Sequence, residues 1–472
     1  MNYYVTIGLE LHCELKSNSK VFSRGKNSYS ELCNVNIVPL DMAFPGTLPV
    51  VNYECVKKAI KMALCLNCEI PEYLVFDRKN YYYPDLPKGY QITQSHYPIG
   101  INGEVIINVN GKDKNILIHD IHLEEDTASL DHYDKQTLIN YNRSGVPLIE
   151  MVTEPCLHSA EEAVSFLEYL RNILKYTDIS DADTKKGQIR CDVNVSLSKD
   201  KNKLGTKVEI KNVNSFSNVK DAIKCEIKRQ KELFDQNREN EIVQETRRYD
   251  EVNGKTIHMR TKVESVDYKY FIEPNIPKTI IERSWIEEIK KEIPLLPEER
   301  RRLYIKEYDL SEYDANILIK DKDVSDYYQE CVRKMIDPKI ACNYIISIIC
   351  GYLNKELLSI NEITLTPDML MKIYEKQKDN SISSKQAKEL IIDALENNIN
   401  PIEKLDNIKQ MSNEEELDSV IKKVLDENQK QIADYHNGRT NLFDYFVGQV
   451  MKETRGKANP VKTKEILNKY LN

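Results

Sequence analysis

The chain has 472 residues, 41% of them apolar, and a formal net charge of −8. That length exceeds one typical core and predicts roughly two to four domains. The acidic balance excludes a general nucleic-acid coat, so any nucleic-acid contact must be local. No apolar run approaches a membrane span, and MNYYVTIGLE reads as a strand rather than a secretion signal. The eleven cysteines then read as reduced thiols of a cytoplasmic protein.

The first element is a strand over IGLELHCEL, residues 7–15. A period of two puts Ile7, Leu9, Leu11, Cys13 and Leu15 on one face and Gly8, Glu10, His12 and Glu14 on the other. The polar row is either a solvated face or one side of a metal site. CLNCEI holds a lone CxxC, Cys65 and Cys68. A structural zinc site needs a second pair, so two buried thiols near a helix end are expected. FDRKNYYYPDLPKGYQITQ, residues 76–94, is expected to be a long loop, and its density of tyrosines and charges suggests function. Asn110-Gly111 marks a hairpin between two alternating runs.

IHLEEDTAS follows, with Glu124, Glu125 and Asp126 at a strand end. Adjacent carboxylates repel unless a cation sits among them, and a hard divalent ion with oxygen ligands would remove that cost. The bland reading is an acidic turn. Glu150 and Asp192 are further carboxylates beside apolar strand residues, where a charge needs a partner. Ser159 and Glu162 form a capping-box pattern before a helix with Ala163, Phe166, Leu167, Leu170 and Leu174 on one face. QIRCDVNVSLS and GTKVEIKN alternate cleanly and suit a second antiparallel hairpin. NVKDAIKCEIKRQKELF is an amphipathic helix. Trp285 is expected to pack in a helix, and His258 to be a satisfied strand residue. His96, His119 and His158 have no partner visible in the sequence.

From about residue 293 helical patterns follow one another to the end. Ser412 with Glu415, and Asn459-Pro460, are helix-start signals. From Arg439 to Asn472 seven basic residues face three acids, a local net of +4 on an acidic chain. That is a candidate nucleic-acid contact or a solvated helical face. No GxxxxGK[ST], GxGxxG, HExxH or GxSxG occurs, so a bound nucleotide is not held by a P-loop.

IGLELH, FPGTLPVVN, FDRKNYYYPDLPKGYQITQ, HLEED, YNRSGVPLIEMVTEP, RCDVNVS, GTKVEIKNVNSF, QETRRYD, DYKYFIEP and VGQVMKETRGKANP stand in this order along the chain. In order and spacing they resemble the B subunit of the tRNA-dependent aspartyl/glutamyl amidotransferase, GatCAB. The resemblance covers essentially the whole chain. It implies an α+β fold: an antiparallel-sheet-based cradle over 1–292, a helical domain over 293–408 and a YqeY-like tail over 409–472. It implies partners, the amidase subunit GatA and the small subunit GatC, and a substrate, Glu-tRNA(Gln) and/or Asp-tRNA(Asn). ATP and Mg²⁺ are the implied cofactors. The implied reaction is that of a carbon–nitrogen ligase with glutamine as amido donor. The side-chain carboxylate is phosphorylated, and ammonia channelled from GatA displaces the phosphate.

Carried over by motif, Glu10, His12, Glu124, Glu125 and Lys79 are the implied catalytic set. Glu150 and Asp192 join Glu10, His12, Glu124 and Glu125 as metal ligands. Arg78, Lys79, Lys88, Arg190 and Asp192 are the implied nucleotide contacts, since phosphoryl transfer depends on positioning and on neutralising phosphate charge. Lys452, Arg455, Lys457 and Asn459 are the implied tRNA contacts. The chain departs from the family pattern in places. Val38 and Asp41 occupy the second cysteine-pair positions, so no zinc is expected. Thr127-Ala128-Ser129 replaces Ala-Gly-Lys, and Cys156, Ile272 and Asn275 also differ. A tRNA-binding scaffold with a decayed kinase site is the alternative.

Overall fold

The computed structural model describes residues 3–213, 215–261, 267–379, 381–405, 414–436, 439–440, 442–454, 458 and 460–471. The chain divides into two units, Met1–Leu296 and Pro297–Asn472. Strands of the first unit are, in chain order, β1 (Tyr4–Glu14), β2 (Tyr73–Leu74), β3 (Asp77–Asn80), β4 (Tyr90–Thr93), β5 (Gly100–Val109), β6 (Lys112–Glu125), β7 (Ser129–Tyr133), β8 (Gln136–Asn140), β9 (Pro147–Thr153), β10 (Ile189–Ser198), β11 (Val208–Val213), β12 (Glu245–Asp250), β13 (Lys255–Thr261), β14 (Phe271–Ile272) and β15 (Thr279–Ile280). Eight of them make one sheet in the order β13-β12-β11-β10-β1-β9-β6-β5. All neighbours in it are antiparallel except β11 and β12.

The period of two in the sequence is what separates the two faces of this sheet. Ile7, Leu9, Leu11, Cys13, Val193, Val195 and Ile210 are buried on one face. Helices α1 (Tyr53–Cys65), α2 (Ala160–Tyr176) and α3 (Phe216–Asp235) pack there. Each fully buried Leu or Ile contributes about 1.5–3 kcal/mol of transfer free energy, so the register is strongly specified. Ser159 caps α2 by accepting from the Glu162 amide, as the capping pattern predicts.

Asn110 (φ 52°) and Gly111 (φ 82°) turn the β5–β6 hairpin, the left-handed pair a two-residue primed turn needs. Cys65 and Cys68 are both buried at the end of α1. A Cβ on Gly103 would lie 2.5 Å from the Cys68 sulfur, so the hairpin approaches that thiol only as glycine. Residues 76–94 are not one loop. Asp77–Asn80 pairs with Tyr90–Thr93, and β14 extends this small sheet. Trp285 stacks on Tyr53 at 4.8 Å in α4 (Arg283–Lys291).

Among the described residues the second unit is helical and holds two separate apolar cores. One gathers Tyr304, Tyr328, Leu370 and Ile391, and the other Leu417, Ile421, Phe446, Val450 and Leu467. The latter is built from Glu414–Glu427, Leu442–Glu453 and Pro460–Leu471. Ser412 and Asn459, the expected caps, lie outside the described residues. Among the described residues no helix is long and apolar enough to cross a membrane.

Candidate active site

The polar row of β1 faces away from the helices, and cross-strand pairing extends it sideways. Glu10 pairs with Asp192 on β10, and His12 with Arg190 on β10 and Glu150 on β9. Glu150 pairs in turn with His122 on β6, two residues before Glu124. Paired residues share a face, so alternation on four strands collects one titratable cluster from four distant segments.

Two donor sets result. In the first, His12 Nε2 lies 3.2 Å from Glu150 and 3.5 Å from Glu124. His122 bridges Asp120 at 2.8 Å and Glu150 at 2.9 Å, which fixes its ring and braces Glu150. Burial opposes the charged imidazole of His12, but the Glu150 and Glu124 carboxylates outweigh it and raise its pKa. Burial and then Glu150 push the Glu124 carboxyl up. Burial also disfavours ionised Glu150, yet His122 and His12 hold it well below the ordinary carboxylate range. In the second set, Glu10, Asp192 and Glu209 bring one oxygen each within 4.8 Å of one another. The first set, His12, Glu124 and Glu150, meets the same distance. Asn194 donates to Glu10 at 2.8 Å, while its own buried Oδ1 has no hydrogen-bond partner.

A cavity of about 270 Å³ joins the sets. His12, Lys79, Glu124, Arg190, Asp192 and Lys211 line it, with Tyr81 and Gln91. Burial opposes the Lys79 ammonium, and Glu124, Tyr270 and Glu150 outweigh that cost and raise its pKa. The sequence-predicted residues Glu10, His12, Lys79, Glu124, Glu150, Arg190 and Asp192 are therefore brought together.

Glu125, Lys88 and Arg78 are not. Strand alternation turns Glu125 away from Glu124, into a buried pair with Lys88 (2.6 Å) that also accepts from the Ile92 amide. Arg78 forks onto Glu273 at 2.5 and 3.0 Å and stacks on Tyr90. Asp126 takes a third direction, to Arg190 at 2.9 Å and Arg143 at 3.5 Å. The three adjacent acids thus do not form one cage. Lys452 is exposed on Leu442–Glu453, and Arg455, Lys457 and Asn459 lie outside the described residues.

His122, Glu209 and Lys211 escaped the sequence reading. The signal for His122 was present, because it shares the face of Glu124 at a spacing of two. Glu209 enters by pairing with Asn194 across the hairpin. Lys211 contacts Asp192 at 2.6 Å and Glu209 at 3.3 Å. His96, His119 and His158 do have partners: Asp77, Glu154 and the Val5 carbonyl. His258 pairs with Glu245 on the neighbouring strand, the satisfied role expected of it.

Comparison with known proteins shows the family of the chain. Residues 5–287 match the family described as the GatB/GatE catalytic domain, and residues 326–471 match the GatB domain. A protein of Oceanobacillus iheyensis, named as the B subunit of the aspartyl/glutamyl-tRNA(Asn/Gln) amidotransferase, is 45% identical over the whole of both chains. The proteins of the same name from Persephonella marina and Geobacillus thermodenitrificans are 43% and 42% identical, again over the whole of both chains. Matched by the catalytic-domain family over more than half its length and by these relatives from end to end, the chain belongs to the family of aspartyl/glutamyl-tRNA(Asn/Gln) amidotransferase B subunits.

Proposed function

We propose that the β1 row is where the side-chain carboxylate of glutamate on tRNA(Gln), or aspartate on tRNA(Asn), is phosphorylated by ATP and then amidated. In this reading the chain works in the cytoplasm with the amidase GatA and the small protein GatC. Glutamine bound to GatA supplies the ammonia. The chain divides into a catalytic cradle (1–292), a helical domain (293–408) and a tRNA-binding tail (409–472). The observation that carries the reading is the pair of donor sets flanking one cavity, on a chain of this family.

A carboxylate is a poor electrophile, and phosphorylation converts its oxygen into a leaving group. A carboxylate oxygen attacks the γ-phosphorus, the bond to ADP breaks, and an acyl phosphate forms. Ammonia then adds to the acyl carbon, and phosphate leaves with the substrate oxygen. This needs no protein nucleophile, only positioning and charge neutralisation. Glu10, Asp192 and Glu209 offer the all-oxygen donor set that suits Mg²⁺. His12, Glu124 and Glu150 add an imidazole, which suits a broader range of divalent ions. A divalent ion there would neutralise phosphate charge and hold the phosphates in line. Lys79 is half-buried beside Glu124 and Glu150, lines the cavity it shares with Asp192, and has the charge to meet the transferred phosphoryl group or the substrate carboxylate. Arg190 closes the cavity while anchored to Asp126. A scaffold with a decayed site is disfavoured, because both donor sets are intact.

The test is to copurify this chain with GatA and GatC and incubate the complex with glutamine, Mg²⁺, ATP and Glu-tRNA(Gln), and in a parallel reaction with Asp-tRNA(Asn). Glutamine on the tRNA, lost when ATP or Mg²⁺ is omitted, is the expected result. Glutamate and aspartate both left unchanged on their tRNAs, with tRNA still bound, would establish the scaffold instead.

A further inference from the structure

Most cations in and around the row are already neutralised within the protein. Lys88 is held by Glu125, Arg78 by Glu273, Arg190 by Asp126, and Lys211 by Asp192 and Glu209. A nucleoside triphosphate carries more negative charge than Lys79 and a divalent ion can offset. The sheet itself supplies what is missing. β11 lies beside β12 in parallel, with Glu209 opposite Thr246 and Lys211 opposite Arg248. β13 follows, with Arg260 opposite Thr246. Paired residues share a face, so Arg248 and Arg260 project from the side that carries Glu10, Asp192 and Glu209. Thr246 confirms the side, since its hydroxyl donates to Glu209 at 2.8 Å. The alternate residues Glu245 and Arg247 point to the other face, where Arg247 meets the buried Glu226 of α3. Arg248 and Arg260 are exposed, and among the described residues neither forms a salt bridge.

We infer that Arg248 and Arg260 bind the polyphosphate of the nucleoside triphosphate whose γ-phosphate is transferred at the Glu10–Asp192–Glu209 set. This rests on the phosphorylation reading above. Strand spacing of about 4.8 Å puts Arg248 one strand and Arg260 two strands beyond Glu209. A polyphosphate held at the donor set would run along that row. Guanidinium groups suit it, because their fork matches two phosphate oxygens at once and stays charged at every working pH. The arginines neutralise the non-transferred phosphates and leave Lys79 to the reacting end. A tRNA phosphate shares this chemistry. The triphosphate is favoured because the row continues directly from carboxylates placed to hold its divalent ion.

The experiment uses the intact complex of this chain with GatA and GatC. Arg248→Ala, Arg260→Ala, the double alanine variant and the double lysine variant are compared with the unaltered complex. KM for ATP, KM for Glu-tRNA(Gln), and calorimetric binding of a non-hydrolysable ATP analogue with Mg²⁺ are measured, with melting temperature as a folding control. ATP affinity is expected to fall about tenfold for each alanine, the cost of a charge-assisted contact. The double lysine variant should recover part of the loss, with KM for tRNA and melting temperature unchanged. Unchanged ATP affinity in a folded double alanine variant overturns the proposal. A rise in KM for tRNA with ATP affinity intact also overturns it and assigns the arginines to the tRNA. Both outcomes leave phosphorylation standing. An unaltered complex that consumes no ATP would instead overturn the phosphorylation reading itself.

Discussion

The eight-stranded sheet carries a dense ionic network on each face, and the two differ in how their charge is closed. On the helix side, Glu226 is fully buried and meets Arg229 at 2.7 Å, Gln230 at 2.9 Å and Thr256 at 2.9 Å. Glu245 beside it takes Arg229, Arg247 and His258. Acids and bases there are matched, and the strands and α3 fill the space. On the other side Glu10, Asp192 and Glu209 form one set and His12, Glu124 and Glu150 another, and a cavity lined by His12, Lys79, Glu124, Arg190, Asp192 and Lys211 opens beside them. A closed network holds structure together, whereas one that borders a cavity is placed to receive a charged ligand. Density of titratable residues does not by itself separate them.

Substitutions can break this contrast, and the largest effect is expected from the open network. Glu124→Gln in the complex should lower Gln-tRNA formation by about a thousandfold or more, the scale of losing a preorganised electrostatic group. Glutamine hydrolysis and melting temperature should hold. Activity near normal would remove Glu124 from the site. In the closed network the order reverses. Glu226→Ala empties a fully buried site and leaves Glu245 alone to hold Arg229 and Arg247, and breaking a buried pair costs about 3–5 kcal/mol. Denaturant unfolding should show that loss, while the fraction still folded turns over normally.

Acid should separate the two faces further. Burial works against the ionised Glu245, but His258 and Arg247 outweigh it and hold its pKa below the ordinary value. A depressed folded pKa contributes stability that is present above the unfolded value, about 4.3 for glutamate. That contribution is lost as pH falls through the folded pKa. Melting temperatures followed downward from pH 6 should fall more gently for Glu245→Gln than for the unaltered chain, and parallel curves would deny Glu245 this role. The smallest effect belongs to an exposed charge outside both networks. Lys452→Ala should reduce the salt dependence of tRNA binding by about one unit of slope and leave KM for ATP alone. An unchanged slope would remove Lys452 from the tRNA surface.

Much of the site was legible because it follows strand alternation. The polar row of β1, the β5–β6 turn at Asn110-Gly111 and the capped start of α2 are local patterns, and each stands as the residues imply. Glu125 shows the limit. A motif treats Glu124 and Glu125 as a unit, but adjacent strand residues point to opposite faces, and only one reaches the cavity. Glu209 and Lys211 were hidden for a different reason. Their part depends on the β10–β11 register and its bulge, which a single sequence does not specify. Residues 76–94 misled because their prolines and tyrosines masked two short paired strands.

The central claim is that this row phosphorylates the carboxylate. The most direct measurement follows oxygen. Glu-tRNA(Gln) labelled with heavy oxygen in its side-chain carboxylate is given to the complex with ATP, Mg²⁺ and glutamine, and the released phosphate is analysed by mass. Phosphate carrying heavy oxygen in step with Gln-tRNA formed is the result predicted. Gln-tRNA formed alongside wholly unlabelled phosphate would contradict the account.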